Sequence, residues 1–171
     1  MTESTRPKFR IAVVCLGNIC RSPIAEAVLS AHVDQAGLRD RIDVESAGTA
    51  GWHAGLDADH RARLALQTSG YSCAHSARQF DPSWLDDLDL VLGMDYQNVL
   101  DLRDLTSDPE QVESIRLYRS FDPALMHLPE DDPVLEVPDP YYGSQADFDA
   151  VVKMVENATA GIIDYARLEL G

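Results

Sequence analysis

The chain has 171 residues, enough for one domain with a sizeable core. Its 29 acidic against 14 basic residues leave a formal net charge of −15, which disfavours nucleic acid and anionic membrane surfaces as partners. No apolar run approaches a membrane span, and 45% hydrophobic with 25% charged residues is ordinary for a globular protein.

Residues 1–8 are polar, lack the apolar stretch of a secretory leader, and are expected to form a flexible tail. Residues 9–14, Phe-Arg-Ile-Ala-Val-Val, read as a buried strand. A tight loop follows, Cys15-Leu16-Gly17-Asn18-Ile19-Cys20-Arg21-Ser22. Pro23 then suits the first turn of a helix in which Ile24, Ala27, Val28 and Ala31 recur at helical spacing, with Gly37 as its natural stop. Residues 42–46 alternate as a second strand and lead into a Gly-rich loop, 47–55, that carries Trp52. A second helix is expected over 57–69. Asp81 reads as an N-cap with Pro82 at the first position of a short helix through Leu85. Residues 88–94 form a third buried strand, and Asp95 caps a helix to about Leu102. Residues 114–117 make a weaker edge strand. Residues 124–138 are rich in acids and prolines, hold no Lys or Arg, and read as a long loop. A final helix over 147–168 has an apolar face of Phe148, Val151, Val152, Val155, Ile162, Ile163 and Tyr165. This alternation predicts an α/β fold with a parallel sheet between helices; it leaves the strand order open.

The loop after the first strand carries chemistry. Gly17 and Asn18 tolerate left-handed backbone, so successive N–H groups can point inward, and inward N–H groups at a helix N-terminus bind oxyanions such as phosphate. Cys15 opens the ring, where the surrounding donors favour thiolate. Arg21 closes it with a planar fork for two phosphate oxygens. Ser22 can donate to the Cys15 sulfur. Together these describe attack by sulfur on phosphorus, giving a phosphocysteine. The bland alternative is a buried strand-end Cys beside a helix-capping Ser. Asp139, stiffened by Pro138 and Pro140, could protonate a leaving oxygen and then serve as base for water; an ordinary Asp-Pro turn is its alternative. Three Cys, two of them in one loop, do not make a disulfide framework; a reducing compartment fits, so the expected localisation is cytoplasmic. The five His are dispersed with no ligand spacing, so no metal or other cofactor is expected. Cys73 reads as a small core residue.

The stretch from Cys15 to Ser22 resembles the phosphate-binding loop of the low-molecular-weight protein tyrosine phosphatases. Asp139-Pro140-Tyr141-Tyr142-Gly143 resembles the general-acid loop of the same family, in the same order along the chain. The resemblance spans residues 9–168, read as a single domain. It implies a three-layer α/β/α sandwich around a four-stranded parallel sheet of order 2-1-3-4. It implies hydrolysis of phosphotyrosine in protein substrates, with Cys15 as nucleophile, Arg21 on the phosphate and Asp139 as acid. Leu16, Gly17, Asn18, Ile19, Cys20 and Ser22 would surround the phosphate, and Trp52, Tyr141 and Tyr142 would wall the pocket mouth. A deep aromatic slot fits phosphotyrosine, whereas the shorter phosphoserine would reach the sulfur poorly. Asn18 and Ser46 look like the family's loop-holding pair, and His75 and Asp95 like its supporting network; core packing for the tyrosines, a satisfied His75 and a plain helix cap at Asp95 stay open. The Cys15–Cys20 pair would close as a disulfide on oxidation. A monomer or weak dimer is expected. The 124–138 loop is longer than is general in the family and is expected to tune substrate choice by repelling acidic flanking residues. Arsenate reductases share a similar loop but need two further Cys, and only Cys73 remains. A phosphotyrosine-binding module or thiol redox sensor without turnover would not need Cys15, Arg21 and Asp139 together.

Overall fold

The computed structural model describes residues 7–171. Strand β1 (Phe9–Cys15) lies inside the sheet, paired in parallel with β2 (Ile42–Gly48) on one side and β3 (Leu90–Gly93) on the other. β4 (Ile115–Leu117) extends the sheet beyond β3, also in parallel, so the order is β2-β1-β3-β4. The expected order is therefore observed. Of the expected N-terminal tail, residues 1–6 lie outside the described residues, and Pro7 and Lys8 are exposed.

The two-residue period of a strand explains the layers. Ile11, Val13 and Cys15 face one side of the sheet, and Ala12 and Val14 face the other. On the first side pack α1 (Arg21–Gln35), α2 (His60–Thr68) and α5 (Gln145–Leu170), through residues such as Ile24, Leu29, Leu66, Phe148 and Val155. On the second side α3 (Tyr96–Arg103) brings Val99 and Leu102, and the 3₁₀ turn Pro82–Asp86 brings Leu85. Each such side chain contributes about 1.5–3 kcal/mol when fully buried, so both faces anchor the central strands.

Several boundaries differ from the sequence reading, each for a local reason. α2 starts at His60 because the Asp59 carboxylate accepts the Arg61 N–H and caps the helix. α5 starts at Gln145 because Ser144 and Asp147 form a capping box, placing Asp147 inside the first turn. A short helix, α4 (Pro109–Ser114), was not expected; Asp108 caps it and Pro109 opens it, the same signal that marks Asp81-Pro82. The 124–138 segment contains a 3₁₀ turn, Pro133–Leu135, and buries Leu135 and Val137. Arg119 donates to the Val134 and Glu136 carbonyls at 2.6 and 3.2 Å, and Arg103 pairs with Glu130. The cations absent from the segment itself thus arrive from α3 and from the turn after β4.

The loops leaving the carboxyl ends of β1, β2 and β3 gather at one edge of the sheet, the usual ligand edge of an open α/β sheet. The segment carrying Asp139 joins them, since Val137 N–H donates to the Met94 carbonyl just beyond β3. Among the described residues, no helix is long and apolar enough to cross a membrane.

Candidate active site

Cys15 ends β1, buried, with its sulfur 3.0 Å from the Ser22 hydroxyl and accepting the Asn18 N–H at 3.3 Å. The loop's shape is set by Asn18, the one non-glycine residue with positive φ among the described residues, at 58°. Asparagine enters this region readily because its short amide bonds locally. Here the amide is fully buried and fully used. Its Nδ2 donates to Ser22 Oγ at 2.8 Å and Ser46 Oγ at 3.1 Å, and its Oδ1 accepts the Arg78 N–H at 2.9 Å. The Asn18 carbonyl receives His75 Nε2 at 2.6 Å, which places a ring proton on that nitrogen. Ser22 Oγ accepts from Asn18, and its own proton has two acceptors in reach, the Cys15 sulfur at 3.0 Å and the Ala47 carbonyl at 3.4 Å.

Gly17 serves a different need from the one read in the sequence. Its φ is not left-handed; a Cβ there would lie 2.8 Å from the His53 ring. Gly48 has a similar role at the end of β2. A Cβ on it would sit 2.6 Å from the Leu16 carbonyl and 3.1 Å from the Asn18 N–H nitrogen, so glycine lets the strand end press against the loop. Thr49 and Ala50 N–H groups then bond the Cys15 and Leu16 carbonyls at 2.9 Å each.

Arg21 opens α1 and is almost wholly buried. One guanidinium nitrogen donates to Asp95 Oδ2 at 2.6 Å and to the Val137 carbonyl at 3.0 Å; the other lies 3.8 Å from Asp139 Oδ2. Burial opposes this cation, but the Cys15 sulfur, the Asp95 bond and the Asp139 carboxylate outweigh it and hold Arg21 charged beyond its usual range. Asp95 does both jobs considered for it. Its Oδ1 accepts the Asn98 N–H at 2.8 Å as the helix cap, and its Oδ2 holds Arg21.

A pocket of about 260 Å³ lies over the sulfur, bounded by the loop from Cys15 to Arg21 and, across from it, by Trp52, His53, Asp139, Tyr141 and Tyr142. Asn18, Ser22, Ser46, His75 and Asp95 are not on its wall; they brace the loop and Arg21 from behind. Tyr142 is 95% exposed with its ring edge-on to Tyr141, and Trp52 is 74% exposed, so neither packs in a core. Asp139 Oδ1 accepts the Tyr141 N–H at 3.1 Å, leaving Oδ2 toward Arg21 and the pocket. His53 on the pocket wall was not foreseen; its signal was the shared Gly-rich loop with Trp52. Arg61 was also missed. It donates to the Tyr141 and Gly143 carbonyls at 2.8 and 3.1 Å, a link that no local sequence pattern announces.

Cys20 also lines the pocket, and Cys15, Cys20 and Cys73 are all free thiols. Cys73 is half-buried and packs against the core's margin. Burial, aided by the charge of Asp59, pushes the Cys20 thiol from its ordinary 9.0 up to about 12. A thiol whose folded value is raised stabilises the fold fully below 9.0, and that contribution is lost as pH climbs through about 12. The melting temperature of Cys20→Ala should accordingly fall less steeply above pH 9.0 than that of the parent chain. Parallel slopes would show that Cys20 titrates as it does in the unfolded chain.

A family model described as low molecular weight phosphotyrosine protein phosphatase matches residues 10–169. A low molecular weight protein-tyrosine-phosphatase of Streptomyces coelicolor is 44% identical over 159 residues, covering 93% of this chain and 94% of the relative. The crystal structure of a protein tyrosine phosphatase from Entamoeba histolytica, with Hepes in its active site, aligns with a TM-score of 0.85 at 31% identity, covering 95% of this chain and 99% of that one. A Drosophila arginine phosphatase aligns with a TM-score of 0.79 at 26% identity, over 91% of this chain and 96% of its own. With a matching model across almost its whole length and a close relative over the same span, this chain belongs to the low molecular weight phosphotyrosine protein phosphatase family.

Proposed function

We propose that this chain hydrolyses phosphotyrosine in protein substrates through a phosphocysteine on Cys15. The observation that carries the reading is the sulfur at the pocket floor, bonded by Ser22 and Asn18 and facing Arg21 and Asp139. The Cys15 sulfur attacks phosphorus, an S–P bond forms and the P–O bond to the phenol breaks. Asp139 gives its proton to the leaving oxygen, which as free phenolate would have a pKa of about 10. Arg21 and the loop N–H groups bind the three outer oxygens as charge spreads over them. Asp139, now a carboxylate, takes a proton from water as that water attacks phosphorus. The S–P bond breaks, Ser22 steadies the departing thiolate, and inorganic phosphate is left in the loop.

The aromatic rings of Trp52 and Tyr141 at the mouth suit a phenyl ring, and the free thiols suit the reducing cytoplasm. Three acids of the 124–138 segment are engaged internally, Glu130 by Arg103, Asp132 by the Val134 N–H and Glu136 by the Tyr96 N–H, so any repulsion of acidic substrates falls chiefly to Asp131.

The test is phosphate release, without added metal, from peptides carrying phosphotyrosine, phosphoserine or phosphoarginine. Release from phosphotyrosine alone is the expected result; release from phosphoarginine in its place would overturn the substrate assignment. Asp139→Ala should slow phenyl phosphate by about 10²–10³-fold and p-nitrophenyl phosphate, whose leaving group needs no proton, far less. Equal slowing would remove Asp139 from the acid role.

A further inference from the structure

We infer that Arg61 is a positioning residue that holds the general-acid loop in register with the phosphate-binding loop. The segment from Val137 to Gly143 arches over the pocket, with Asp139 near its middle. One foot, Val137, is fixed from both sides: its N–H donates to the Met94 carbonyl at 2.8 Å and its carbonyl accepts from Arg21 at 3.0 Å. The other foot has Arg61. One guanidinium nitrogen donates to the Tyr141 carbonyl at 2.8 Å, and another donates to the Gly143 carbonyl at 3.1 Å. Between the feet the Asp139 side chain is 46% exposed, and apart from the Tyr141 N–H its nearest polar contact is Arg21 at 3.8 Å. Its placement therefore depends on how firmly the arch is held at each end.

Arg61 is itself tied to the phosphate-binding loop. The Asp59 N–H donates to the Ile19 carbonyl at 2.7 Å. The Asp59 carboxylate takes Arg61 side-on, Nε at 3.1 Å and a terminal nitrogen at 3.0 Å, while also capping α2. The guanidinium carbon lies 4.4 Å from the centre of the Phe148 ring in α5, which fixes the plane of the fork. An unbroken path thus runs from Ile19 through Asp59 and Arg61 to Tyr141 and Gly143. Arg61 donates four hydrogen bonds to one carboxylate and two carbonyls, one more than the three an ammonium can give. Arg61 does not line the pocket, so it acts through Asp139 and Tyr141 and never on the substrate.

This inference rests on Asp139 being the acid. The readout is the ratio of kcat/KM for p-nitrophenyl phosphate to that for phenyl phosphate. Both rates come from one sample, so any loss of folded enzyme cancels. Arg61→Ala should raise this ratio roughly tenfold, since misplacing the acid by a fraction of an ångström weakens proton transfer while leaving sulfur attack in place. Arg61→Lys keeps the charge but cannot make all four bonds, and its ratio should fall between the parent and Arg61→Ala. A ratio for Arg61→Ala equal to the parent's, with slower rates on both substrates, would reduce Arg61 to a structural tie and overturn the inference. A ratio that Asp139→Ala also leaves unchanged would overturn the acid role itself, and the positioning role of Arg61 with it.

Discussion

Cys15→Ser should hydrolyse no aryl phosphate at a measurable rate, a loss of more than about 10⁴-fold, while still binding inorganic phosphate. The hydrogen bonds around the sulfur explain both halves. Its partners are the Asn18 N–H, which donates to it, and the Ser22 hydroxyl at 3.0 Å, and neither is a base. Such a setting suits attack by sulfur and not by an alcohol. It supplies no base to remove a proton from an alcohol, which at neutral pH stays protonated and is a poor nucleophile. Removing a nucleophile elsewhere costs about 10⁶-fold, so a four-decade bound is conservative. The oxyanion donors and Arg21 are untouched by the substitution, so phosphate should still raise the melting temperature of the variant as its concentration passes Kd. Hydrolysis by Cys15→Ser at even a hundredth of the parent rate would sink the phosphocysteine route. Loss of phosphate binding along with turnover would mean the loop had collapsed instead.

Arg21→Lys should cost roughly 10²–10³-fold in kcat, and Arg21→Ala roughly 10³–10⁵-fold. The lysine result is the more informative. A lysine keeps one positive charge and can still reach Asp95, but it has no second nitrogen to present to the phosphate while the first is held. In the parent, one nitrogen is committed to Asp95 and Val137, and this frees the other edge of the fork for the pocket. Alanine also leaves Asp95 facing the phosphate unopposed, so like-charge repulsion adds to the lost contact. It strips the buried end of Asp95 of its partner as well, and stability should fall by about 3 kcal/mol. Single-turnover rates beside thermal melts separate the two effects. A lysine variant within threefold of the parent would show that charge alone suffices and that the fork geometry is idle.

Much of this was legible in the chain because the signals are local. The strand-loop-helix of residues 9–35 announces itself through an apolar run, a Gly-Asn turn and a helical repeat, and the structure builds it in that form. Asp139 was legible because prolines flank it, a constraint written in adjacent residues. Gly17 was recognised for the wrong reason: its need is space for His53, a residue that arrives from the loop after β2. Arg61 carried no mark at all, because on its own helix it is an unremarkable cation beside a capping Asp.

The sequence by itself determined the alternation of strands and helices, the loop that receives phosphate and the residue types that do chemistry there. Those follow from backbone preference and periodicity over a few neighbouring residues. The tertiary structure alone decided which distant groups meet. Asp95 comes to Arg21 from 74 residues away, Val137 from 116, and Arg61 reaches the acid loop across 80. Such contacts form when parallel strands align their carboxyl ends at one edge of the sheet, and no local pattern encodes a partner that only the pairing of β1 with β2 and β3 brings near.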